Sequence, residues 1–338
     1  MSDAEPTTFA VPASGDTRQR WRDFALLGGL FVLVLAGLGG LAAATGWQET
    51  LDGLQRVTLS EMIALLALSL INYLFRGLRW HIFARRLGLP TSLWQNIRHF
   101  LAGFAMSVTP GRVGELVRMR WLRRETGWSF ERTAPLVLID RASDLAAMAA
   151  ILAVALAFTA SGIAGAVPVV ALALGAAYVA TRPRLMRLTA TLGYKATGLG
   201  ARLFARIRRA SLSLDAFQDP LTLTAGMVCG IIGWAAEALA FWLLLQWMGA
   251  DVGLGMATAI FLFATLAGGL TGLPGGVGGA EAAMVGLLLS IGVPLEIAVP
   301  ATLIIRVTTL WFAIGIGLLV FPFAERISQR KKYVLEAS

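Results

Sequence analysis

The chain has 338 residues, of which 57% are hydrophobic and 14% are charged, and its formal net charge is +9. A soluble chain of this length exposes more polar surface than such a composition can supply, which excludes a soluble globular protein. The single cysteine, Cys229, excludes an intrachain disulfide and disfavours a thiolate metal site.

Apolar stretches of about 20 residues, the length that crosses the hydrocarbon core of a bilayer, recur along the chain. The first is too long for the apolar core of a signal peptide, and the residues after it make a poor cleavage site. We therefore predict an all-α integral membrane protein with about six transmembrane helices, near residues 24–44, 59–83, 134–159, 163–180, 222–247 and 297–322.

Basic residues predict the orientation of these helices. Outside the predicted helices, lysine and arginine are concentrated in the loops and tails on one side of the membrane. On the other side, loop 45–58 contains only Arg56 and loop 248–296 contains none. By the positive-inside rule, we predict a multi-pass protein of a bacterial inner membrane with both termini in the cytoplasm.

The same pattern divides the chain into regions. A single membrane domain, 23–323, is predicted between basic cytoplasmic tails at 1–22 and 324–338. The basic stretch 182–217 is predicted to form amphipathic helices on the cytoplasmic membrane surface. We attribute the net positive charge to this topology and to contact with anionic lipid headgroups, and we predict no nucleic-acid partner.

Two further regions, about 92–123 and 255–291, are interrupted by Pro-Gly sequences. The charge pattern is consistent only if each region enters and leaves the membrane on the same side, or crosses it an even number of times. We therefore predict two re-entrant pairs of half-helices, the first entering from the cytoplasm and the second from outside. Irregular backbone at membrane depth requires that these breaks are buried in protein or line a polar cavity.

The two breaks belong to an internal repeat, with units at about 59–159 and 222–322. Both contain Pro-Gly-x-Val-Gly followed shortly by glutamate, and charged residues flank them at equivalent distances. Arg76 and Glu237 are 161 residues apart, and Arg141 and Arg306 are 165 apart. Since the two units run in opposite directions, we predict an inverted repeat, which is common in secondary transporters. The alternative is two unrelated kinks that allow close helix packing.

Ionisable residues at membrane depth are functional candidates, because an unpaired charge there costs several kcal/mol. We predict a hydrated cavity that binds a charged headgroup, with arginines and half-helix N-termini directed at its phosphate. The charged candidates for substrate binding are Arg76, Arg112, Glu115, Asp140, Arg141, Asp144, Glu237, Glu281 and Arg306, and Arg79 belongs to the same intramembrane set. The break residues are Thr109, Pro110, Gly111, Gly114, Pro274, Gly275, Gly276, Gly278 and Gly279.

The same charges allow a structural interpretation, in which Glu115, Arg141 and Asp144 form internal ion pairs that hold the half-helices. Arg141 lies three residues before Asp144, so the two can pair along one helix. A separate group of arginines is predicted to lie at the cytoplasmic rim against anionic lipid, namely Arg118, Arg120, Arg123 and Arg124.

Two sequence segments together resemble the flippase-like family related to the membrane domain of lysylphosphatidylglycerol synthase. They are Ser107–Glu115 (SVTPGRVGE) and Gly272–Ala282 (GLPGGVGGAEA), and the resemblance covers about residues 24–322. It implies that the protein moves or handles lipids such as aminoacylated phosphatidylglycerol, polyprenyl-phosphate carriers or hopanoid-related lipids. Because no soluble synthase domain follows residue 322, we do not expect aminoacyl transfer.

The favoured function is therefore translocation of an anionic or zwitterionic membrane lipid, driven by a gradient or the membrane potential. The chain has no HExxH, Walker or GxSxG motif and only two histidines, so we predict no enzyme, metal or cofactor. Two alternatives remain: an ion- or proton-coupled transporter of a small solute, and an accessory protein or enzyme of lipid-linked glycan or hopanoid synthesis.

Overall fold

The computed structural model describes residues 56–107, 113–157, 166–182, 214–271 and 274–337, with isolated residues between 184 and 195. The predicted span 24–44, the first break at 109–112, residue 273 and most of the linker 182–217 lie outside the described residues. Within the described part, every regular element is helical.

Outside the stretch 182–219, the described α-helices follow one another with short connections. A 3₁₀ turn, Phe104–Met106, extends the second helix, and another, Pro274–Gly276, lies in the second break. A π-helical turn, Val307–Trp311, joins the last two helices. The helices are α1 (Leu59–Arg86), α2 (Leu93–Gly103), α3 (Val113–Thr126), α4 (Phe130–Ala157), α5 (Ala166–Thr181), α6 (Pro220–Trp247), α7 (Leu254–Leu270), α8 (Gly279–Ser290), α9 (Leu295–Arg306) and α10 (Phe312–Ala337).

Three helical segments have the length and hydropathy needed to cross a membrane: Leu59–Arg86, Pro220–Trp247 and Leu295–Arg330. Helix α4 also has 28 residues, but it contains five charged residues, of which Asp140, Arg141 and Asp144 lie within its apolar part. Helices α7 and α8 are shorter and apolar, and they lie on the two sides of the second break. This is the architecture of an all-helical integral membrane protein.

Side chains next to the first turn determine where two of the long helices begin. Thr58 and Glu61 form a capping box at the start of α1, where the Thr58 N–H donates to Glu61 Oε2 at 2.7 Å. Asp219 caps α6 by accepting the Thr222 N–H at 3.0 Å, and Pro220 occupies the first turn. These side chains satisfy backbone donors that the first turn leaves free.

Helices α1 and α6 pack along each other in antiparallel directions, because Gly226 faces Phe83 while Gly233 faces Asn72. A Cβ added at Gly226 would lie 2.5 Å from the Phe83 ring, and one at Gly233 would lie 3.4 Å from the Asn72 backbone. Small residues allow this approach, as is common between helices in membranes. The contact brings the centres of α1 and α6 beside α4.

The helices on the two sides of each break contact each other at a glycine. A Cβ at Gly114 would lie 2.4 Å from the Gly103 carbonyl oxygen, and one at Gly268 would lie 2.6 Å from Ala280 Cβ. In the second break Gly275 has a φ of +64°, a left-handed conformation that favours glycine. The glycines of the breaks therefore permit both the close approach and the reversal of the backbone.

Two glycines of helix α10 test how closely this helix packs against the 3₁₀ turn at Phe104–Met106. A methyl group at Gly317 would lie 2.2 Å from the backbone nitrogen of Ala105, which cannot rotate away. We expect Gly317→Ala to lower the free energy of unfolding by about 1–3 kcal/mol. A methyl group at Gly315, two residues earlier, would meet no described atom within 4 Å. Gly315→Ala is expected to be neutral or stabilising by up to about 1 kcal/mol, since alanine favours helix. Unfolding in detergent measures both changes, and equal effects would contradict the packing.

Candidate functional site

A cavity of about 560 Å³ lies between the two broken regions, the middle of α1, α4 and α6, and the C-terminal end of α9. Its size falls within the range typical of small-ligand sites, about 300–1,000 Å³. The predicted site residues that line it are Arg76, Gly114, Glu115, Arg141, Asp144, Glu237, Gly275, Gly276 and Arg306.

The remaining predicted residues have other positions. Glu281 lies directly behind the cavity, in contact with Arg306, and Asp140 is buried beside Arg79. Pro274, Gly278 and Gly279 belong to the second break without lining the cavity in the described part of the chain. Thr109, Pro110, Gly111 and Arg112 lie outside the described residues.

Each break is held by a glutamate–arginine ion pair at equivalent positions. Glu115 Oε1 lies 2.5 Å from Arg141 Nε, and Glu281 Oε1 lies 2.6 Å from Arg306 Nε. Both glutamates are in the first turn of the helix after the break, where the helix dipole favours a negative charge. The two pairs join α3 to α4, and α8 to the end of α9.

The second pair also holds the backbone of its break. Glu281 Oε2 accepts the Gly278 N–H at 2.7 Å, and Arg306 Nη2 donates to the Gly275 carbonyl at 2.9 Å. Both side chains are less than one-tenth exposed. The cavity edge formed by this break is therefore fixed by charge-assisted hydrogen bonds.

In the cavity wall, Asp144 joins three arginines. Its Oδ2 lies 2.7 Å from Arg76 Nη2 and 3.3 Å from Arg141 Nη1, and its Oδ1 lies 2.8 Å from Arg79 Nη2. Arg79 is fully buried and also donates to Asp140 Oδ1 at 3.0 and 2.6 Å. The ion pairs of Arg141 with Asp144 and Glu115, which the structural interpretation expected, are present. Arg79 and Asp140, which that interpretation did not name, pair with each other.

Reciprocal contacts connect the two halves across the cavity. Trp234 Nε1 donates to Asp144 Oδ1 at 3.1 Å, while the Tyr73 hydroxyl donates to the Thr309 carbonyl. Tyr73 and Trp234 are 161 residues apart, and Asp144 and Thr309 are 165 apart. These are the same separations as those of the charged pairs in the repeat. Tyr73, Trp234 and Thr309 were not predicted as site residues, because they carry no charge.

The prediction that Arg118 lies at the rim is wrong, because Arg118 is 3% exposed and lines the cavity. Its guanidinium carbon lies 4.3 Å from the centre of the Phe100 ring and 5.3 Å from that of Trp80. A Cβ at Gly103 would lie 2.3 Å from Arg118 Nε, so the glycine leaves room for this side chain. Its spacing of three residues from Glu115, along one helix face, is the signal that could have indicated the inward position.

The neighbouring arginines of α3 have different surroundings. Arg120 and Arg124 pair with Glu325 of α10 at 3.0 and 2.6 Å, and Arg123 is exposed. Helix α3 thus directs Arg118 to the cavity and its other arginines to α10 or the surface.

Glu237 is the acidic counterpart of Arg118, in that it lines the cavity and is only 5% exposed. Within the described residues it makes no ion pair, whereas Arg76, Arg141 and Arg306 each contact a carboxylate. The cavity therefore presents one unpaired arginine and one unpaired glutamate among its described charges.

Apolar side chains complete the cavity wall. Leu145, Met148 and Phe261 cover part of its interior. Leu172 of α5 and Leu270 of α7 also belong to the wall, yet they are 59% and 64% exposed. The polar interior is thus continuous with an apolar outer surface of the protein.

The sequence of this chain is similar to those of known membrane proteins. A family model described as the lysylphosphatidylglycerol synthase TM region matches residues 25–317. A UPF0104 membrane protein from Methanothermobacter thermautotrophicus is 25% identical over 331 residues, which cover 88% of this chain and 97% of that protein. A further match to a UPF0104 membrane protein of the same organism is 29% identical over 111 residues, 32% of this chain and 33% of that protein. Because the family model matches nearly the whole membrane region, the chain belongs to the lysylphosphatidylglycerol synthase TM family.

Proposed function

We propose that this protein translocates an anionic or zwitterionic lipid between the leaflets of a bacterial inner membrane. The observation that carries the proposal is the cavity, which combines arginines from both halves of the chain with a wall that reaches the apolar surface at Leu172 and Leu270. Arginine is well suited to bind a phosphodiester, because its planar guanidinium offers two parallel donors. The apolar opening gives acyl chains a path beside the headgroup.

The proposed frame is an inverted repeat of six spans with two re-entrant half-helix pairs, and with both termini in the cytoplasm. Its support is the antiparallel packing of α1 on α6 and the equivalent ion pairs, Glu115 with Arg141 and Glu281 with Arg306. In such frames, one unit rocks against the other around a central site. A lipid gradient or the membrane potential would drive the exchange.

A direct test uses the purified full chain in vesicles of phosphatidylethanolamine and phosphatidylglycerol. Tail-labelled fluorescent phosphatidylglycerol is followed with a membrane-impermeant reductant, which bleaches only the outer leaflet. We expect the bleached fraction to exceed that of empty vesicles, and to depend on an imposed membrane potential or lipid gradient. Bleaching identical to that of empty vesicles under every gradient would refute lipid translocation.

Glu237 favours a second candidate, a proton-coupled transporter of a small solute. Within the described residues, Glu237 is a buried carboxylate without an ion pair, and such a group is a common element of proton relays in membranes. In this case, an imposed pH gradient drives solute uptake, and Glu237→Gln abolishes that dependence. Glu296→Gln, an exposed change at the start of α9, is the matched control. Lipid movement that continues unchanged in Glu237→Gln argues against the second candidate.

A further inference from the structure

Arg118 differs from the other described arginines of the cavity in having no carboxylate partner. Arg76, Arg141 and Arg306 lie 2.7, 2.5 and 2.6 Å from acidic oxygens. Glu115, one turn before Arg118 on α3, pairs with Arg141 instead. Within the described residues, the Nε and Nη1 atoms of Arg118 have no hydrogen-bond partner. Arg118 thus brings a charge without a carboxylate partner to the cavity wall, and two of its buried donors are unsatisfied among the described residues.

The surroundings of Arg118 position the guanidinium without neutralising it. The Phe100 and Trp80 rings contact it by cation–π interactions, which involve the face of the guanidinium and use none of its N–H groups. Gly103 provides the space that the Nε atom occupies. A buried cation held in this way is costly unless an anion completes the site.

We propose that Arg118 binds the phosphodiester group of the lipid that enters the cavity. This inference rests on the proposed function and assigns the primary anion contact to a single residue. Arg141 and Arg76 also line the cavity, but carboxylates offset their charges. The chemistry recognised is a phosphate oxygen, which a lipid headgroup or free phosphate could supply.

Calorimetric titration of the detergent-purified full chain distinguishes these sources. The probes are dihexanoylphosphatidylglycerol, inorganic phosphate, and dihexanoylglycerol, which has the same chains without phosphate. We expect only the phosphatidylglycerol to bind well, and Arg118→Gln to weaken it by roughly 10–100-fold, the usual effect of losing a charged hydrogen bond. Arg123→Gln, an exposed change on the same helix, is expected to leave the dissociation constant unchanged.

Two further variants keep the inference testable if Arg118→Gln does not fold. Arg118→Lys retains the charge without the bidentate donors, so we expect an intermediate loss of affinity. Gly103→Ala places a methyl group against the guanidinium and is expected to weaken binding while Arg118 is still present.

Wild-type affinity in a folded Arg118 variant would overturn the inference, as would equal binding of dihexanoylglycerol. Equal binding of inorganic phosphate would overturn the assignment of the bound phosphate group to a lipid. A failure of this inference can be distinguished from a failure of the proposed function. Arg118-dependent binding in a protein that fails to translocate lipid supports the site alone, whereas translocation with Arg118-independent binding supports the function alone.

Discussion

Arg79→Leu is expected to lower the free energy of unfolding by roughly 3–5 kcal/mol, because it leaves buried carboxylates without their partner. Arg79 has a fully buried side chain and donates to both Asp140 and Asp144. Asp144 keeps Arg76, but Asp140 has no other ion pair within the described residues. Thermal or denaturant unfolding in detergent measures the loss.

The double variant Arg79→Leu/Asp140→Leu isolates the cause of that loss. It removes the stranded carboxylate together with the arginine, so we expect it to be more stable than Arg79→Leu alone. Arg85→Leu, an exposed change near the end of the same helix, is expected to alter stability by less than about 0.5 kcal/mol. An Arg79→Leu protein as stable as the wild type would show that the pair does not hold α1 to α4.

Arg141→Gln is expected to reduce lipid translocation by roughly 10–100-fold while the protein remains folded. The Arg141 side chain is 29% exposed to the cavity, and its partner Glu115 is 17% exposed, so water can solvate the carboxylate that remains. Asp144 retains Arg76 and Arg79. The vesicle bleaching assay and the unfolding temperature, measured on the same preparation, test both parts.

Arg306→Gln is the equivalent change in the second half and provides the comparison. We expect a similar loss of translocation but a larger loss of stability, because the side chains of Glu281 and Arg306 are only 8% and 9% exposed. Arg306 also holds the Gly275 carbonyl of the break. A stable Arg141→Gln protein with wild-type translocation would eliminate its proposed role in transport.

Much of the helical framework could be predicted from the sequence. The spans predicted at 59–83 and 222–247 correspond to α1 and α6, and that at 297–322 lies within the segment Leu295–Arg330. Hydropathy and helix caps are properties of a local segment, so they can be identified without knowledge of the partner helices. The six-span topology and the re-entrant depth of the breaks remain predictions.

The candidate site was predictable only in part. Six of the nine charged candidates line the cavity, because charges at membrane depth are rare and collect in polar interiors. The sequence did not indicate the aromatic residues Tyr73 and Trp234, which carry no charge, and it assigned Arg118 to the rim. The spacing of Arg118 within α3 is compatible with either position until the packing of α2 is known.

By itself, the sequence determined that this is a helical membrane protein, where its long apolar helices lie, and that two glycine-rich breaks recur with equivalent flanks. Only the tertiary structure decided which acid neutralises which arginine. Arg76 and Asp144 are 68 residues apart, and Arg79 and Asp140 are 61 apart, so their pairing depends on how α1 packs on α4. Among the described residues, Arg118 and Glu237 form no ion pair in the cavity. The helices packed around a side chain decide which partners it can reach.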